Sequence, residues 1–142
     1  MAINGIGASL SGLFAAATRL AGAASNIANL RSQGKALDQP IIPDPNAAPD
    51  PGYQPLRTEQ VSVEGDGGNG TRAFYAPVRP ASIPSLEPGA PDADARGFVA
   101  RPNVQLETEV TDQIVSVRTF QANVKSLQTN DELNKTLLDI KT

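Results

Sequence analysis

The sequence has no cysteine, no histidine and no tryptophan. Without cysteine there is no thiol nucleophile, no disulfide and no thiolate metal site. Without histidine, the usual general base near neutral pH and the commonest metal ligand are both missing. Aromatic residues are 4% of the chain, few for a protein that must fill its own core. Basic charge is also short: 12 Lys+Arg stand against 15 Asp+Glu, a net charge of −3 over 142 residues. A general nucleic-acid binder needs a basic face. Carboxylates and lysines remain, but most hydrolase and metalloenzyme designs are excluded. The length allows one modest domain.

The helix breakers are unevenly placed. All 12 prolines fall in residues 35–102, as do most of the glycines. Residues 1–34 hold no proline and no acidic residue, and their only charges are Arg19 and Arg31. Residues 103–142 hold neither proline nor glycine. Proline breaks a helix interior and glycine there costs about 1 kcal/mol relative to alanine. The division predicts a mainly α fold of three parts: an N-terminal helix in 1–34, a Pro/Gly-rich middle in 35–102 and a C-terminal helix in 103–142. The terminal helices would form an antiparallel α-helical hairpin or coiled coil.

Both ends carry apolar stripes at helical spacing. Ile3, Ile6, Leu10, Leu13, Ala17, Leu20, Ala24 and Ile27 recur every three or four residues, a heptad pattern. The rest of that segment is mostly Ala, Gly and Ser, which lets neighbouring backbones approach closely. A helix without a charged face is usually buried. Leu106, Val110, Ile114, Val117, Phe120, Val124 and Leu127 form the second stripe, which resumes out of phase at Leu133, Leu137 and Ile140. Asn103 is a start signal for this helix, and Glu107, Glu109 and Asp112 in its first turns suit the helix dipole. The first stretch is too diluted by polar and small residues for a membrane span, and no basic residue precedes it as in a secretory signal.

In the middle, Asp38–Gly52 reads as extended or disordered. Pro55–Val63 and Arg72–Val78 flank a Gly-rich stretch and read as a small β-hairpin. Gly65–Gly70 lacks the ending of a P-loop and reads as the hairpin tip. Asp92–Gly97 resembles the start of a calcium loop, but Arg96 and Asn103 occupy ligand positions. It reads as a turn in which the Asp side chains bond local backbone and Gly97 takes a positive φ. Glu107, Glu109 and Asp112 read as solvated charges rather than an acid/base set. No catalytic residue, metal or cofactor is expected, and neither nucleic acid nor a small-molecule substrate is expected as a partner.

One partner helix cannot cover an N-terminal helix that is apolar or small on every side. The expectation is self-association: many copies packing their terminal helices together, with the middle outside. A heterologous contact that does not close gives a helical filament. A charge in the seam, at Leu13 or Leu20, would then block assembly.

Specific residues add a resemblance. Ser25-Asn26-Ile27-Ala28-Asn29 is similar to the SNIAN signature of bacterial flagellar axial proteins. Pro88–Val104 (PGAPDADARGFVARPNV), Val115–Val124 (VSVRTFQANV) and Gly52-Tyr53-Gln54-Pro55 resemble, in order, motifs of the FlgC family of flagellar proximal-rod proteins. The departures are Ala90, where that family usually has His, and the proline-rich 38–52. The resemblance implies a structural rod subunit in the periplasmic part of the flagellar basal body, exported through the flagellar type III apparatus without a cleaved signal. It implies a hollow shaft that transmits torque, with other rod proteins, the rod-to-MS-ring adaptor, the MS ring and the LP-ring bushing as neighbours. The expected assembly residues are Ile3, Ile6, Leu10, Leu13, Leu20, Ile27, Val110, Ile114, Val117, Phe120, Val124, Leu127 and Leu137. Asn26 and Asn29 join them either as polar register-setters or as caps at the helix end. The alternatives are a secreted coiled-coil adaptor of a type III system, a membrane anchor using the first helix, and an enzyme using Asp92, Asp94, Glu107 or Glu109.

Overall fold

The computed structural model describes residues 2–34, 52–64 and 69–140, with side chains from Gly5 onward. The order is α1 (Ala2–Ala28), β1 (Leu56–Val63), β2 (Gly70–Pro77), β3 (Ser82–Leu86), β4 (Phe98–Pro102) and α2 (Leu106–Ile140). The helices span 27 and 35 residues. Each occupies a stretch free of proline, as the composition requires. α2 runs unbroken through Gln128–Glu132, so the phase shift in its stripe does not interrupt the helix. No helix among the described residues is long and apolar enough to cross a membrane.

The fold is less purely helical than expected, because the middle builds two small sheets. β1 pairs antiparallel with β2, Leu56 opposite Pro77 and Val63 opposite Gly70. This is the expected hairpin, although residues 65–68 of its tip lie outside the described residues. Asp38–Pro51, read as extended or disordered, lies outside them too. The second sheet, β3 with β4, was not anticipated. Its strands are five residues each, and Pro84 interrupts the β-pattern in β3, so neither carries a clear alternation. Gly34 adds a bridge to Ala100, with Gly34 N–H donating to Ala100 O at 2.9 Å and Ala100 N–H returning to Gly34 O at 3.1 Å. This ties the exit of α1 to the second sheet.

The turn between β3 and β4 is held by one carboxylate. Asp94 Oδ1 accepts the backbone N–H groups of Arg96 and Phe98, each at 2.8 Å. Its Oδ2 accepts from the Arg96 guanidinium. The Phe98 N–H holds the Asp94 carboxyl below its ordinary value; burial opposes this and Arg96 adds to it. Gly97 has φ +84°, a conformation that side chains avoid, and Pro88 packs where its Cβ would stand. The segment is therefore an Asp-locked turn, and no group of acidic residues suited to a metal occurs among the described residues.

The buried core is small. Among the described residues the buried apolar side chains are Ala15, Ala16, Ala23, Val99 and Ala100, together with Pro55 and Pro102. Alanines remove little apolar surface from water, so burial contributes only modestly to holding the helices.

Candidate assembly interface

The two helices lie side by side and run in opposite senses. A Cβ on Gly5 would stand 3.7 Å from the Asn130 amide. Ser9 Oγ donates to Ser126 Oγ at 3.1 Å. A Cβ on Gly12 would stand 2.7–2.9 Å from the amide atoms of Asn123. Near the other end, Asn26 Nδ2 donates to Glu109 Oε1 at 2.8 Å. Residue numbers rise along α1 as they fall along α2. The residues that meet are small or polar, and they are not the apolar stripes. This seam was legible in outline: Gly5, Ser9, Gly12 and Asn26 keep the same rhythm as the apolar stripe, one position earlier. Sequence reading credited the small residues with close approach but did not single out that line.

A second face of α1 carries the β1–β2 hairpin. Thr71 N–H donates to Ser11 Oγ at 3.1 Å and Tyr75 Oη–H donates to Thr18 O at 3.1 Å. Thr58 and Tyr75 pack at Gly22. Small and hydroxyl residues on this face let the sheet lie close to the helix.

Asn26 joins the two contacts. It is 1% exposed. Its Nδ2 donates to Leu56 O at 2.7 Å as well as to Glu109, and its Oδ1 accepts from Leu56 N–H and Tyr53 Oη–H, both at 3.0 Å. Tyr53 has then spent its one proton, so Ser25 Oγ donates to Tyr53 Oη at 2.8 Å. One side chain thus fastens α1, the Tyr53–Leu56 segment and α2. Glu109 is half-buried here rather than a solvated charge, which corrects the sequence expectation. Burial pushes its carboxyl above the ordinary value, the Asn26 hydrogen bond opposes the rise and Asp112 adds to it. Asn29 does different work. Its Nδ2 donates to Ser25 O at 2.9 Å and its own N–H donates to the same carbonyl, which closes the last turn of α1.

The remaining face is apolar and open. Ile6, Leu10, Val110, Ile114, Val117 and Phe120 are 39–58% exposed. Leu13, Leu20, Ile27, Val124 and Leu127 are half-buried, and Ala17 and Ala24 are exposed. Ile3 lies in α1, before the residues whose side chains are described. Each stripe sits one residue beyond the seam of its helix, about 100° further round. Because the helices run in opposite senses, both rotations lead to the same side of the pair. Leu133, Leu137, Leu138 and Ile140 continue the exposed surface at the end of α2, at 57–76%. Soluble monomers rarely leave a contiguous apolar surface of this extent uncovered.

A cleft of about 230 Å³ lies where α1, β1 and α2 converge, lined among others by Arg19, Thr58, Glu109 and Asp112. Glu109 turns one carboxylate oxygen to Asn26 there.

The chain is similar to flagellar rod proteins over most of its length. Residues 95–140 match the family model described as flagellar basal body rod FlgEFG protein C-terminal. The chain is 34% identical over 125 residues to the flagellar basal-body rod protein FlgC of Salmonella typhimurium, covering 84% of this chain and 82% of that one. It is 27% identical over 135 residues to FlgC of Aquifex aeolicus, covering 92% and 90%. It is 25% identical over 146 residues to FlgC of Bacillus subtilis, covering 98% and 97%.

Proposed function

Given that the chain belongs to the FlgC family of flagellar basal-body rod proteins, we propose that it polymerises through the shared apolar face of α1 and α2. It is a structural rod subunit and not an enzyme. The single observation that carries the proposal is the position of the two stripes. They flank one side of the helix pair along a length of about 30 Å, at about 1.5 Å per residue. A surface of that kind marks an interaction site, and in a rod protein the partner is further protein. The relatives do not support the alternative of a secreted adaptor.

In this reading the terminal segments, 1–34 and 103–142, act as an antiparallel helical hairpin that lines a hollow shaft. The middle, 35–102, wedges between neighbours. The subunit stands in the proximal, periplasmic part of the rod and passes torque from the MS ring toward the hook. Its neighbours are further copies, other rod proteins and the rod-to-MS-ring adaptor, inside the LP-ring bushing. Asn26 sets the register of the hairpin, because a misplaced helix leaves its buried amide without partners. Asn29 caps α1.

The test is deletion of the gene followed by electron microscopy of envelope preparations. The expected result is membrane rings without rods, in non-motile cells. Intact rods and normal swimming would overturn the reading.

A further inference from the structure

Asn26 is held so that it cannot turn over. Its Oδ1 accepts from Leu56 N–H and Tyr53 Oη–H, and a flipped amide would lose both bonds. Its Nδ2 donates once to Leu56 O and once to Glu109 Oε1, which spends both of its hydrogens. Glu109 must therefore present an acceptor oxygen at all times. A carboxylate does so, and so does the carbonyl oxygen of a neutral carboxylic acid. The junction of α1, the Tyr53–Leu56 segment and α2 can close on either form, but not equally well.

The charged form is poorly provided for. Among the described residues Asn26 gives the one hydrogen bond to the Glu109 carboxylate. The charged groups that line the cleft with it are Arg19 from α1, Arg57 from β1 and Asp112 from α2 itself. Arg57 is turned to Glu59, 2.5 Å away, and its side chain is 68% exposed. Arg19 makes no ion pair among the described residues, and its Nε is buried without a hydrogen-bond partner. Tyr53, from the segment before β1, is bonded to Asn26 and Ser25. Asp112 lies one turn along α2 and carries the same sign as Glu109. A half-buried carboxylate thus faces one amide and a like charge, with no cation paired to it.

We infer that Glu109 is a proton-operated latch on the helix pair: the neutral acid closes the junction at Asn26, and ionisation weakens it. A proton on Oε2 leaves Oε1 to accept from Asn26 and removes the charge from the cleft. Burial lifts the Glu109 carboxyl above its ordinary value; the Asn26 bond, which favours the carboxylate, opposes this and Asp112 adds to it. The folded chain therefore binds this proton more tightly than the unfolded chain. The stability it contributes is present in acid and is lost as pH rises through the raised value. Asp94 works in the opposite sense, because its lowered carboxyl loses its stabilising charge as pH falls. The latch belongs to the single chain, so it goes beyond the rod reading and does not depend on it.

The test is Glu109→Gln in the full chain, which keeps an acceptor for Asn26 and removes the charge. Urea unfolding of both proteins is followed by helical circular dichroism at neutral pH and in mild acid. At neutral pH the folding constant of Glu109→Gln is expected to exceed that of the unaltered chain by about threefold or more, and the advantage shrinks in acid. Both proteins share Asp94, so its contribution cancels in the difference. A Glu109→Gln chain no more stable at neutral pH, or an advantage unchanged in acid, would overturn the inference. So would a chain that stays unfolded at every pH, since the latch would then close nothing. The second readout is local to the junction. In an NMR titration the Asn26 Nδ2 hydrogens and the Leu56 N–H are expected to shift together with the Glu109 carboxyl, with a midpoint above that of an ordinary glutamate. Amides that stay still while Glu109 titrates would overturn the inference as well.

Discussion

Leu10→Asp and Phe120→Asp each leave the isolated chain folded and exclude it from the rod. Leu10 is 46% exposed and Phe120 42% in the single chain, on the same side of the helix pair. A substitution at such a position changes the stability of the free chain by about 0.5 kcal/mol or less. Assembly changes the environment completely. Once the apolar face is covered, the carboxylate is desolvated without a partner, at a cost of several kcal/mol (about 2–7 for an unpaired polar group, more for a charge). The effect is thus near zero on one measurement and close to total on the other. The checks are urea unfolding of the purified variants and immunoblots of basal bodies. Leu13→Asp and Leu20→Asp should also fail to incorporate, but these half-buried residues should disturb the free chain more. Incorporation of Leu10→Asp at the normal level would mean that the face is not an interface.

Gly12→Val separates the helices. A Cβ at Gly12 would stand 2.7 Å from Asn123 Oδ1 and 2.8 Å from Nδ2. The Asn123 amide is itself fixed, its Nδ2 donating to Thr119 O at 2.9 Å. Valine therefore displaces that amide and pushes the helices apart, at a cost of about 1–3 kcal/mol. Because the seam consists of small and polar residues, little apolar burial offsets the loss. Asn123→Ala removes the obstructing group, so Gly12→Val with Asn123→Ala should recover most of the lost stability. The measurement is the urea midpoint of the four members of the cycle. A coupling of about 1 kcal/mol or more between the two sites is expected, as for residues in contact. Independent, additive effects would contradict the close approach.

What could be read from the sequence followed the strength of each local signal. Both helices stood out because prolines are confined to 35–102 and the apolar spacing is regular. The hairpin showed because Val61, Val63, Phe74 and Tyr75 flank a run of glycines. β3 and β4 did not show, because their pairing depends on the Asp94 turn and the Gly34 bridge, and no period announces either. The apolar residues were picked out, but the line by which the helices meet was not. Periodicity analysis weighs hydrophobic residues, and this seam is made of Gly, Ser and Asn. Glu109 was misjudged for a related reason. Its spacing from Glu107 is that of a surface charge, whereas its burial comes from Asn26, distant in sequence and adjacent in the fold.

The most direct test of the central claim uses the absence of native cysteine. Ile114 is 58% exposed in the single chain. Ile114→Cys provides a unique thiol on the apolar face. Its reaction with a water-soluble maleimide is measured in the free chain and in purified basal bodies. The account predicts fast labelling of the free chain and protection in the basal body. Equal labelling in both states would contradict it.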